Sequence, residues 1–221
     1  MTWLPFIVAA YVLGSIPFGV LLARTRGIDI RQHGSGNIGA TNVWRVLGRP
    51  LGLTCFALDM AKGAVPVLVA GAWHQDLGYP ASDIHPVDMW LWLAVAGAAL
   101  LGHMASVFLR FQGGKGVATA FGALLSIWPT LGIPALIALT VWIMCMIATR
   151  VVSMASMLAA ISLPLAVLAL MMWNQDSDGQ VVMASSQTPP LLVSVLVALL
   201  VLVRHRANIK RLLQGGEHRF K

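Results

Sequence analysis

The number of membrane crossings in this chain depends on one stretch, Trp128-Pro129-Thr130-Leu131-Gly132-Ile133-Pro134, which interrupts an apolar segment over residues 117–148. Two prolines and a glycine disfavour a continuous helix there, because proline lacks an amide hydrogen and its ring clashes with the preceding turn. Further apolar segments lie at about 3–23, 51–72, 88–109, 153–173 and 190–204. Such lengths suit a hydrocarbon core of about 30 Å. The sequence therefore predicts two crossings over 117–148 and seven in all.

The composition is that of a membrane protein. Of the 221 residues, 58% are hydrophobic and 10% are charged, whereas a soluble domain has about 25% charged residues. A net charge of +7 would suggest a nucleic-acid partner in a soluble protein, but the cytoplasmic excess of Lys and Arg in membrane proteins explains it here. We expect an all-α integral membrane protein, one membrane-embedded domain over residues 1–221, and no nucleic-acid partner.

The distribution of charge favours seven crossings over six. With seven, all fifteen Lys and Arg residues lie on one side, and the loops at about 73–87 and 174–189 carry neither. The charged residues of those two loops are Asp76, Asp83, Asp176 and Asp178. With six crossings, Arg150 and the basic tail from Arg204 to Lys221 would lie on the opposite side. The positive-inside rule therefore predicts a seven-transmembrane-helix bundle with the N-terminus outside and the C-terminus cytoplasmic.

The first cytoplasmic loop carries the densest polar motif, Gly34-Ser35-Gly36-Asn37-Ile38-Gly39-Ala40-Thr41-Asn42, followed by Arg45. The motif matches GxGxxG formally, but a membrane span precedes it where a dinucleotide site requires a strand, so we reject that interpretation. Glycines allow backbone N–H groups to converge on an oxyanion, and Ser, Thr and Asn add donors. Arg45 is able to clamp a phosphate with two hydrogen bonds. We expect an anion site here; the alternative is a flexible connector.

Three other polar elements fall on the same side of the membrane. The turn Gly113-Gly114-Lys115-Gly116 precedes an apolar span whose positive helix end would face a second anion; the alternative is a tight turn with an interface lysine. Ser153 lies at the start of a later span, where serines often only cap the helix. His205 and Asn208 are three residues apart and share a helix face, although the tail alone reads as a basic helix on anionic lipid.

Ionisable residues inside the apolar segments are expected to be structural. Asp59 and Lys62 are three apart, and an inward-facing ion pair is the expected arrangement because charge inside a bilayer is costly. His103 is expected to be a packed, hydrogen-bonded histidine. The sequence contains no HxxxxD acyltransferase motif and no Cys/His cluster with metal-ligand spacing.

Three motifs together resemble one known family. They are Ser35-Gly36-Asn37-Ile38-Gly39-Ala40-Thr41-Asn42 with Arg45, Gly113-Gly114-Lys115-Gly116-Val117-Ala118-Thr119, and His205-Arg206-Ala207-Asn208-Ile209 with Arg211, Gly215 and Glu217. In order and spacing they are similar to the bacterial acyl-phosphate-dependent glycerol-3-phosphate acyltransferases, the PlsY family. The resemblance implies transfer of a fatty acyl group from acyl phosphate to the 1-hydroxyl of glycerol 3-phosphate, giving lysophosphatidic acid and phosphate.

The resemblance also implies a setting for that reaction. It places the protein in the bacterial inner membrane with its active site on the cytoplasmic face. It implies no metal and no cofactor. Membrane lipid surrounds the protein, and downstream enzymes of lipid synthesis are candidate partners.

The same resemblance assigns roles to named residues. The catalytic set is Ser35, Arg45, Lys115, His205 and Asn208. The substrate-binding set is Gly36, Asn37, Thr41, Asn42, Gly113, Gly114, Gly116 and Ser153. The first loop would hold the acyl phosphate, and Arg45, Lys115, Ser153, His205 and Asn208 would hold glycerol 3-phosphate.

Two questions stay open at this point. The general base is either His205 or an oxygen of a substrate phosphate. A transporter or channel for phosphate or an organic phosphate is the alternative function, because it would share the cationic polar loops. It would also need access from both faces and usually a site at the membrane midplane.

Overall fold

The computed structural model describes residues 2–173 and 187–219, and every regular element in those ranges is helical. The α-helices are α1 (Leu4–Ser15), α2 (Phe18–Arg24), α3 (Ala40–Leu47), α4 (Arg49–His74), α5 (Pro86–Met104), α6 (Val117–Leu125), α7 (Gly132–Thr149), α8 (Val152–Trp173), α9 (Thr188–Arg204) and α10 (Arg206–Leu213). Short 3-10 turns lie at Ile30–Gln32, Ala81–Asp83 and Val107–Leu109. The predicted all-α class is confirmed for the described residues.

Several segments are long and apolar enough to cross a membrane. They are Leu4–Arg24, Arg49–His74, Pro86–Leu109, Gly132–Thr149 and Val152–Trp173. A further span forms if α9 and α10, which meet at a bend of 58°, are taken together as one broken span. The protein is therefore a multi-pass membrane protein. Most of the predicted outer loop at 174–189, including Asp176 and Asp178, lies outside the described residues.

The helix break at Trp128–Pro134 is confirmed, because α6 ends at Leu125 and α7 begins at Gly132. However, α6 has only nine residues, which at 1.5 Å per residue gives about 13 Å, less than half of the hydrocarbon core. Helix length alone therefore supports five or six spans. The seven-span topology and the orientation of the termini stay predictions.

The chain divides into two compact groups of residues. The first helical group comprises the chain up to Gln75 together with Ala94–Ser126, and the second comprises Asp76–Leu93 together with the chain from Ile127 onward. The expectation of one membrane-embedded domain over residues 1–221 stays a prediction.

In the first helical group, α1 and α4 run antiparallel. The Trp3 ring at the start of α1 stacks on the His74 ring at the end of α4, with ring centroids 3.7 Å apart. Helices α4 and α6 approach closely because small residues lie between them: a Cβ at Gly63 would collide with the Thr119 carbonyl, and one at Gly122 with the Met60 carbonyl. Close contact between small residues is a usual source of helix association in membranes.

The first span is interrupted at Ile16-Pro17, between α1 and α2. The carbonyl groups at the end of α1 find partners on other elements. Lys62 Nζ donates to the Ile16 carbonyl at 2.7 Å, and Ser106 Oγ donates to the Ser15 carbonyl at 2.5 Å. The Ile16 carbonyl also accepts the Phe18 amide at 3.1 Å. The two side-chain bonds fix the junction against α4 and the segment after α5.

In the second helical group, α8 packs against both α7 and α9. Trp142 on α7 donates its indole N–H to Ser156 Oγ on α8 at 3.2 Å. The turn between α6 and α7 contacts the loop before α5, because the Ala81 amide donates to Thr130 Oγ1 at 2.9 Å.

Candidate active site

The loop of residues 29–42, here called the Asn42 loop, is organised by one buried amide. Asn42 is 1% exposed, and its Oδ1 accepts the Ser35 amide at 2.9 Å. Its Nδ2 lies 2.9 Å from the Asn37 carbonyl, 3.0 Å from the His33 carbonyl and 3.3 Å from the Ile30 carbonyl. The Asn42 side chain was predicted to bind substrate; instead the loop itself uses its donors and acceptor, so it shapes the loop.

Glycine is required beside this amide. Gly34 has a φ of +60°, and a Cβ there would collide with Asn42 Oδ1. A second short-range bond completes the loop: Asn37 Oδ1 accepts the Gly39 amide at 2.8 Å, which is an Asx-turn leading into α3. Asn37, predicted to bind substrate through its side chain, therefore also uses its amide oxygen to shape the loop.

Several donors of the Asn42 loop are left for a ligand. Within the described residues, no acceptor is found for the backbone N–H groups of Asn37, Ile38, Ala40 and Thr41. Ala40 and Thr41 open α3, where the first amides of a helix have no partner within it. The Ser35 side chain is exposed, and its hydroxyl likewise has no partner in the described part of the chain. Such a set of donors suits an oxyanion.

Arg45, on α3 just after the Asn42 loop, is an exposed cation. It lies four residues after Thr41 on α3, so the two side chains share a helix face. It is exposed and makes no ion pair with any residue that the structure describes. Arg31, in contrast, is held by Asp29 through Nη2–Oδ2 and Nε–Oδ1 contacts of 2.8 and 2.9 Å.

The Asp29–Arg31 pair is fully formed in solvent. The hydrogen bonds from the Arg31 side chain and amide, together with nearby positive charge, lower the pKa of Asp29 to about 2. The carboxylate is therefore ionised at neutral pH and neutralises Arg31. Arg45 is the arginine of this segment that remains available to an anion.

The turn of residues 113–116, here called the Lys115 turn, lies against the end of α5. The amides of Gly113 and Gly114 donate to the carbonyls of Met104 and His103 at 3.2 and 3.0 Å. A Cβ at Gly113 would collide with the His103 carbonyl, and one at Gly114 would collide with the His103 ring. Gly116 has a φ of +82°. The glycines are therefore needed for close backbone approach, and they place Lys115 immediately before α6.

The Asn42 loop and the Lys115 turn both lead back to the α1–α2 junction. A Cβ at Gly19 on α2 would collide with the Ile38 carbonyl of the Asn42 loop. On the other side, Tyr11 donates its hydroxyl to the Ala105 carbonyl at 2.8 Å, in the segment that leads to the Lys115 turn. In the first helical group, α2 therefore contacts the Asn42 loop, and α1 contacts the segment that leads to the Lys115 turn.

The second helical group contains the remaining predicted residues, and a carboxylate joins two of them. Glu217 accepts from Ser153 Oγ at 2.8 Å and from Asn208 Nδ2 at 2.6 Å through Oε1. Its Oε2 accepts from Arg211 Nε at 2.8 Å. These four residues are called the Glu217 cluster. Burial alone would raise the pKa of Glu217, but the hydrogen bonds from Asn208, Ser153 and Arg211 and the charge of Arg211 outweigh it and lower the pKa.

His205 lies at the bend between α9 and α10 and is 2% exposed. Its Nδ1 is 2.8 Å from the Val201 carbonyl. A carbonyl oxygen only accepts, so Nδ1 carries the hydrogen in the neutral ring, and Nε2 is the basic nitrogen. This tautomer is compatible with a role as general base through Nε2.

Sequence reasoning missed two features of the site. Glu217 was noticed only as part of a motif, although it is the one glutamate of the chain and lies in a basic tail. His103 was expected to be a packed residue, and its contact with the Lys115 turn could not be read from spacing. Within residues 2–173 and 187–219, no three His, Cys, Asp or Glu side chains are grouped so as to hold a metal ion.

Comparison with known proteins gives the class of this chain. The family model described as glycerol-3-phosphate acyltransferase matches residues 4–215. A glycerol-3-phosphate acyltransferase of Geobacter sulfurreducens is 45% identical over 214 residues, which cover 96% of this chain and 94% of that protein. One from Aquifex aeolicus is 40% identical, with 97% of each chain covered. The chain belongs to the glycerol-3-phosphate acyltransferase family and is an acyltransferase.

Solved structures agree with this assignment. The crystal structure of PlsY (YgiH), an integral membrane glycerol 3-phosphate acyltransferase, in its glycerol 3-phosphate form has a TM-score of 0.81 and 38% identity, covering 100% of this chain and 96% of that one. Its lysophosphatidic acid form has a TM-score of 0.80 and 37% identity, with the same coverage. The predicted family is therefore confirmed.

Proposed function

We propose that this acyltransferase uses acyl phosphate as donor and the 1-hydroxyl of glycerol 3-phosphate as acceptor, and releases lysophosphatidic acid and inorganic phosphate. The observation that carries the proposal is the Asn42 loop together with Arg45: the loop's amide donors, the Ser35 hydroxyl and the Arg45 guanidinium are left available for an anion. The related PlsY structures in glycerol 3-phosphate and lysophosphatidic acid forms support the acceptor and the product.

The proposed reaction needs little covalent help from the protein. The 1-hydroxyl oxygen attacks the acyl carbonyl carbon, the bond from that carbon to the phosphate oxygen breaks, and phosphate leaves with the electron pair. The hydroxyl proton passes to a base. Because the donor is a mixed anhydride with a good leaving group, catalysis rests on positioning two anions and stabilising the oxyanion that develops.

In the proposed arrangement, the Asn42 loop holds the acyl phosphate through Ser35, Gly36 and the amides of Asn37 and Thr41. The residues predicted to hold glycerol 3-phosphate are Arg45 and Lys115 of the first helical group and Ser153, His205 and Asn208 of the second, and this assignment stays a prediction from the sequence. Gly113, Gly114 and Gly116 shape the Lys115 turn. Asn42 holds the loop in shape. Either His205 Nε2 or an oxygen of a substrate phosphate takes the proton.

The proposed location is the bacterial inner membrane, with seven crossings and the site on the cytoplasmic face. The short helix α6 continues into the turn at Ile127–Leu131, where Thr130 bonds to Ala81 in a loop without Lys or Arg. This contact supports an outer position for that turn, and with it a crossing formed by α6 and the turn together. Cysteine-accessibility labelling at positions 79 and 214 in intact cells tests this topology: we expect labelling from outside only at 79.

The reaction is tested with purified protein in detergent, acyl phosphate and radiolabelled glycerol 3-phosphate. We expect labelled lysophosphatidic acid without any sealed compartment, whereas an obligatory transporter gives no product. Acyl coenzyme A offered in place of acyl phosphate should give none. Product from acyl coenzyme A alone would overturn the proposed donor.

The base is tested by a pH–rate profile of His205→Gln. If His205 takes the proton, the wild-type rate rises with pH over the range in which the His205 imidazole loses its proton, and the variant lacks this rise. A rise that the variant retains assigns the proton to a substrate phosphate oxygen.

A further inference from the structure

We propose that His103 is a positioning residue for the Lys115 turn, and that Asp59, Lys62 and Thr119 hold its ring in place. The inference rests on the proposed function, in which Lys115 binds the phosphate of glycerol 3-phosphate. His103 lies at the end of α5, is 4% exposed, and has no part in the acyl-transfer steps above.

The contact with the turn is direct. The Gly114 amide donates to the His103 carbonyl at 3.0 Å, and the Gly114 Cα faces the His103 ring so closely that a Cβ would collide with Nε2. Because Gly114 immediately precedes Lys115, any tilt of the imidazole moves the backbone that carries the lysine. The ring is therefore a fixed surface on which the turn rests.

The ring is held from two neighbouring helices. Thr119 Oγ1, in the first turns of α6, is 3.2 Å from His103 Nδ1. Asp59 Oδ1, on α4, is 3.7 Å from the same nitrogen. Both contacts act on the nitrogen opposite to the side that meets Gly114, so they fix the ring plane without occupying its contact with the turn.

The aspartate is in turn fixed by a buried cation. Lys62 Nζ is 2.8 Å from Asp59 Oδ1, and both side chains are almost completely buried. Lys62 also donates to the Ile16 carbonyl at the α1–α2 junction and lies over the Phe18 ring. Apolar side chains of similar volume would often pack as stably as a buried ion pair. Such side chains would not, however, provide a directional contact that orients the imidazole of His103.

The inference is tested by a double-mutant cycle on the full-length enzyme. Gly114→Ala introduces a methyl group against the imidazole, so we expect kcat/KM for glycerol 3-phosphate to fall at least about tenfold. His103→Ala should cause a loss of similar size because the turn loses its support. Gly114→Ala added to His103→Ala should then cost less than about twofold, since the atoms it meets have been removed.

Gly113→Ala is the matched control. Its methyl group would meet the His103 backbone carbonyl, not the ring, so its loss of activity should persist in the His103→Ala background. Two outcomes would show that the inference is wrong. One is that the losses of activity from Gly114→Ala and His103→Ala simply add. The other is that His103→Ala restores activity to the Gly113→Ala and Gly114→Ala variants equally.

A second readout separates positioning from stability alone. We expect His103→Ala to raise KM for glycerol 3-phosphate at least fivefold more than KM for acyl phosphate, and His103→Asn to restore part of it, because an Asn side chain keeps a polar atom near the Nδ1 position. Equal changes in both KM values would overturn the inference. His103→Asn lacks Nε2 and Cε1, the ring atoms that a Cβ at Gly114 would meet most closely, so it replaces His103→Ala in the cycle if that variant does not fold.

The proposed function and this inference fail in different ways. The thermal unfolding temperatures of the four cycle members measure the steric coupling without any acyl transfer. If wild-type protein makes no lysophosphatidic acid, the proposed function is wrong whatever the coupling. If it makes product and the coupling appears in unfolding but not in KM, the positioning role is wrong.

Discussion

The Asn42 loop and the Glu217 cluster are organised by side chains of opposite character. A buried neutral amide closes the Asn42 loop through contacts to four backbone groups, and the loop's remaining amides and Arg45 are left for a ligand. In the Glu217 cluster, a carboxylate gathers the donors of Ser153, Asn208 and Arg211 onto itself.

The difference lies in what the donors of each region already bind. The Asn42 loop is held in shape without using its remaining amides, so in the proposed function a phosphate would not compete there with a protein acceptor. In the Glu217 cluster, the protein's own anion already accepts from the donors. A phosphate there either shares those donors with Glu217 or competes with it. Substitutions at the two organisers, and at the cation beside one of them, test this contrast.

The largest effect is expected from Arg45→Ala. A hydrogen bond to a charged group is worth about 1.5–3 kcal/mol, so we expect kcat/KM to fall by about 100-fold. Because Arg45 has no partner among the described residues, the thermal unfolding temperature should not change. Steady-state kinetics and thermal unfolding in detergent measure both quantities.

Arg49→Ala is the control for that substitution. Arg49 is also exposed and lies four residues further on, at the start of α4, but its guanidinium is 5.7 Å from the Trp44 ring centroid. We expect its activity to stay within about threefold of wild type. Equal losses in the two variants would show that general positive charge, and not Arg45, serves the site.

A smaller loss of activity, with a loss of stability, is expected from Asn42→Ala. Removing the amide leaves buried backbone groups without partners, which costs about 2–3 kcal/mol in the free energy of unfolding. We expect kcat/KM to fall about 30-fold and the unfolding temperature to fall with it. If Asn42→Ala resembled Arg45→Ala, losing activity at unchanged stability, the amide would be a ligand and the contrast between the two regions would be lost.

A loss of about tenfold in kcat/KM is expected from Glu217→Gln. The amide keeps one acceptor oxygen but loses the ion pair with Arg211 and one of the charged hydrogen bonds. If Glu217 organises the donors, KM for glycerol 3-phosphate rises. A lower KM would instead identify Glu217 as a competitor of the substrate phosphate.

The smallest effect is expected in the pH dependence of the contact that Glu217 in the C-terminal tail makes with Ser153 on α8. Glu217 has a lowered pKa in the folded protein, so its contribution to docking the tail is complete above the ordinary value of 4.5. It declines as the pH falls below that value and is lost once the pH passes the lowered pKa. A fluorophore on Gln214→Cys, with both native cysteines buried, should therefore keep its anisotropy at pH 5 and lose it in stronger acid.

The Glu217→Gln variant carrying the same fluorophore is the control for this titration. It lacks the titrating carboxyl, so its anisotropy should be low and constant across that pH range. A parallel decrease in both proteins would assign the change to another group.

Much of the fold could be predicted because breaks and apolar lengths are local properties. Pro129, Gly132 and Pro134 predicted the end of α6 and the start of α7. The same reasoning applied to Pro17 would have found the break within the first span, which was taken as one helix. The break at Trp128–Pro134, together with the start of the apolar segment at 117, also implied that α6 would be short; the contact of the following turn with Ala81 could not be predicted.

The sequence suggested candidate site residues but not their contacts. The motif around Ser35 and Arg45 drew attention to a segment rich in donors and glycines, since both are visible in the sequence. It gave no sign that Asn42 turns its amide inward while Ser35 faces solvent. The partnership of Glu217 with Ser153 joins residues 64 positions apart, and no local pattern encodes a contact over that distance.

The interruption at Ile16-Pro17 has a consequence for biogenesis. The Ser15 and Ile16 carbonyls obtain their partners from Ser106 and Lys62, which the ribosome makes much later. The Ile16 carbonyl also accepts the Phe18 amide within the first span at 3.1 Å, whereas the Ser15 carbonyl relies on the Ser106 hydroxyl, which follows α5. We therefore expect the break to be fully satisfied in lipid only after the segment that follows α5 has been inserted.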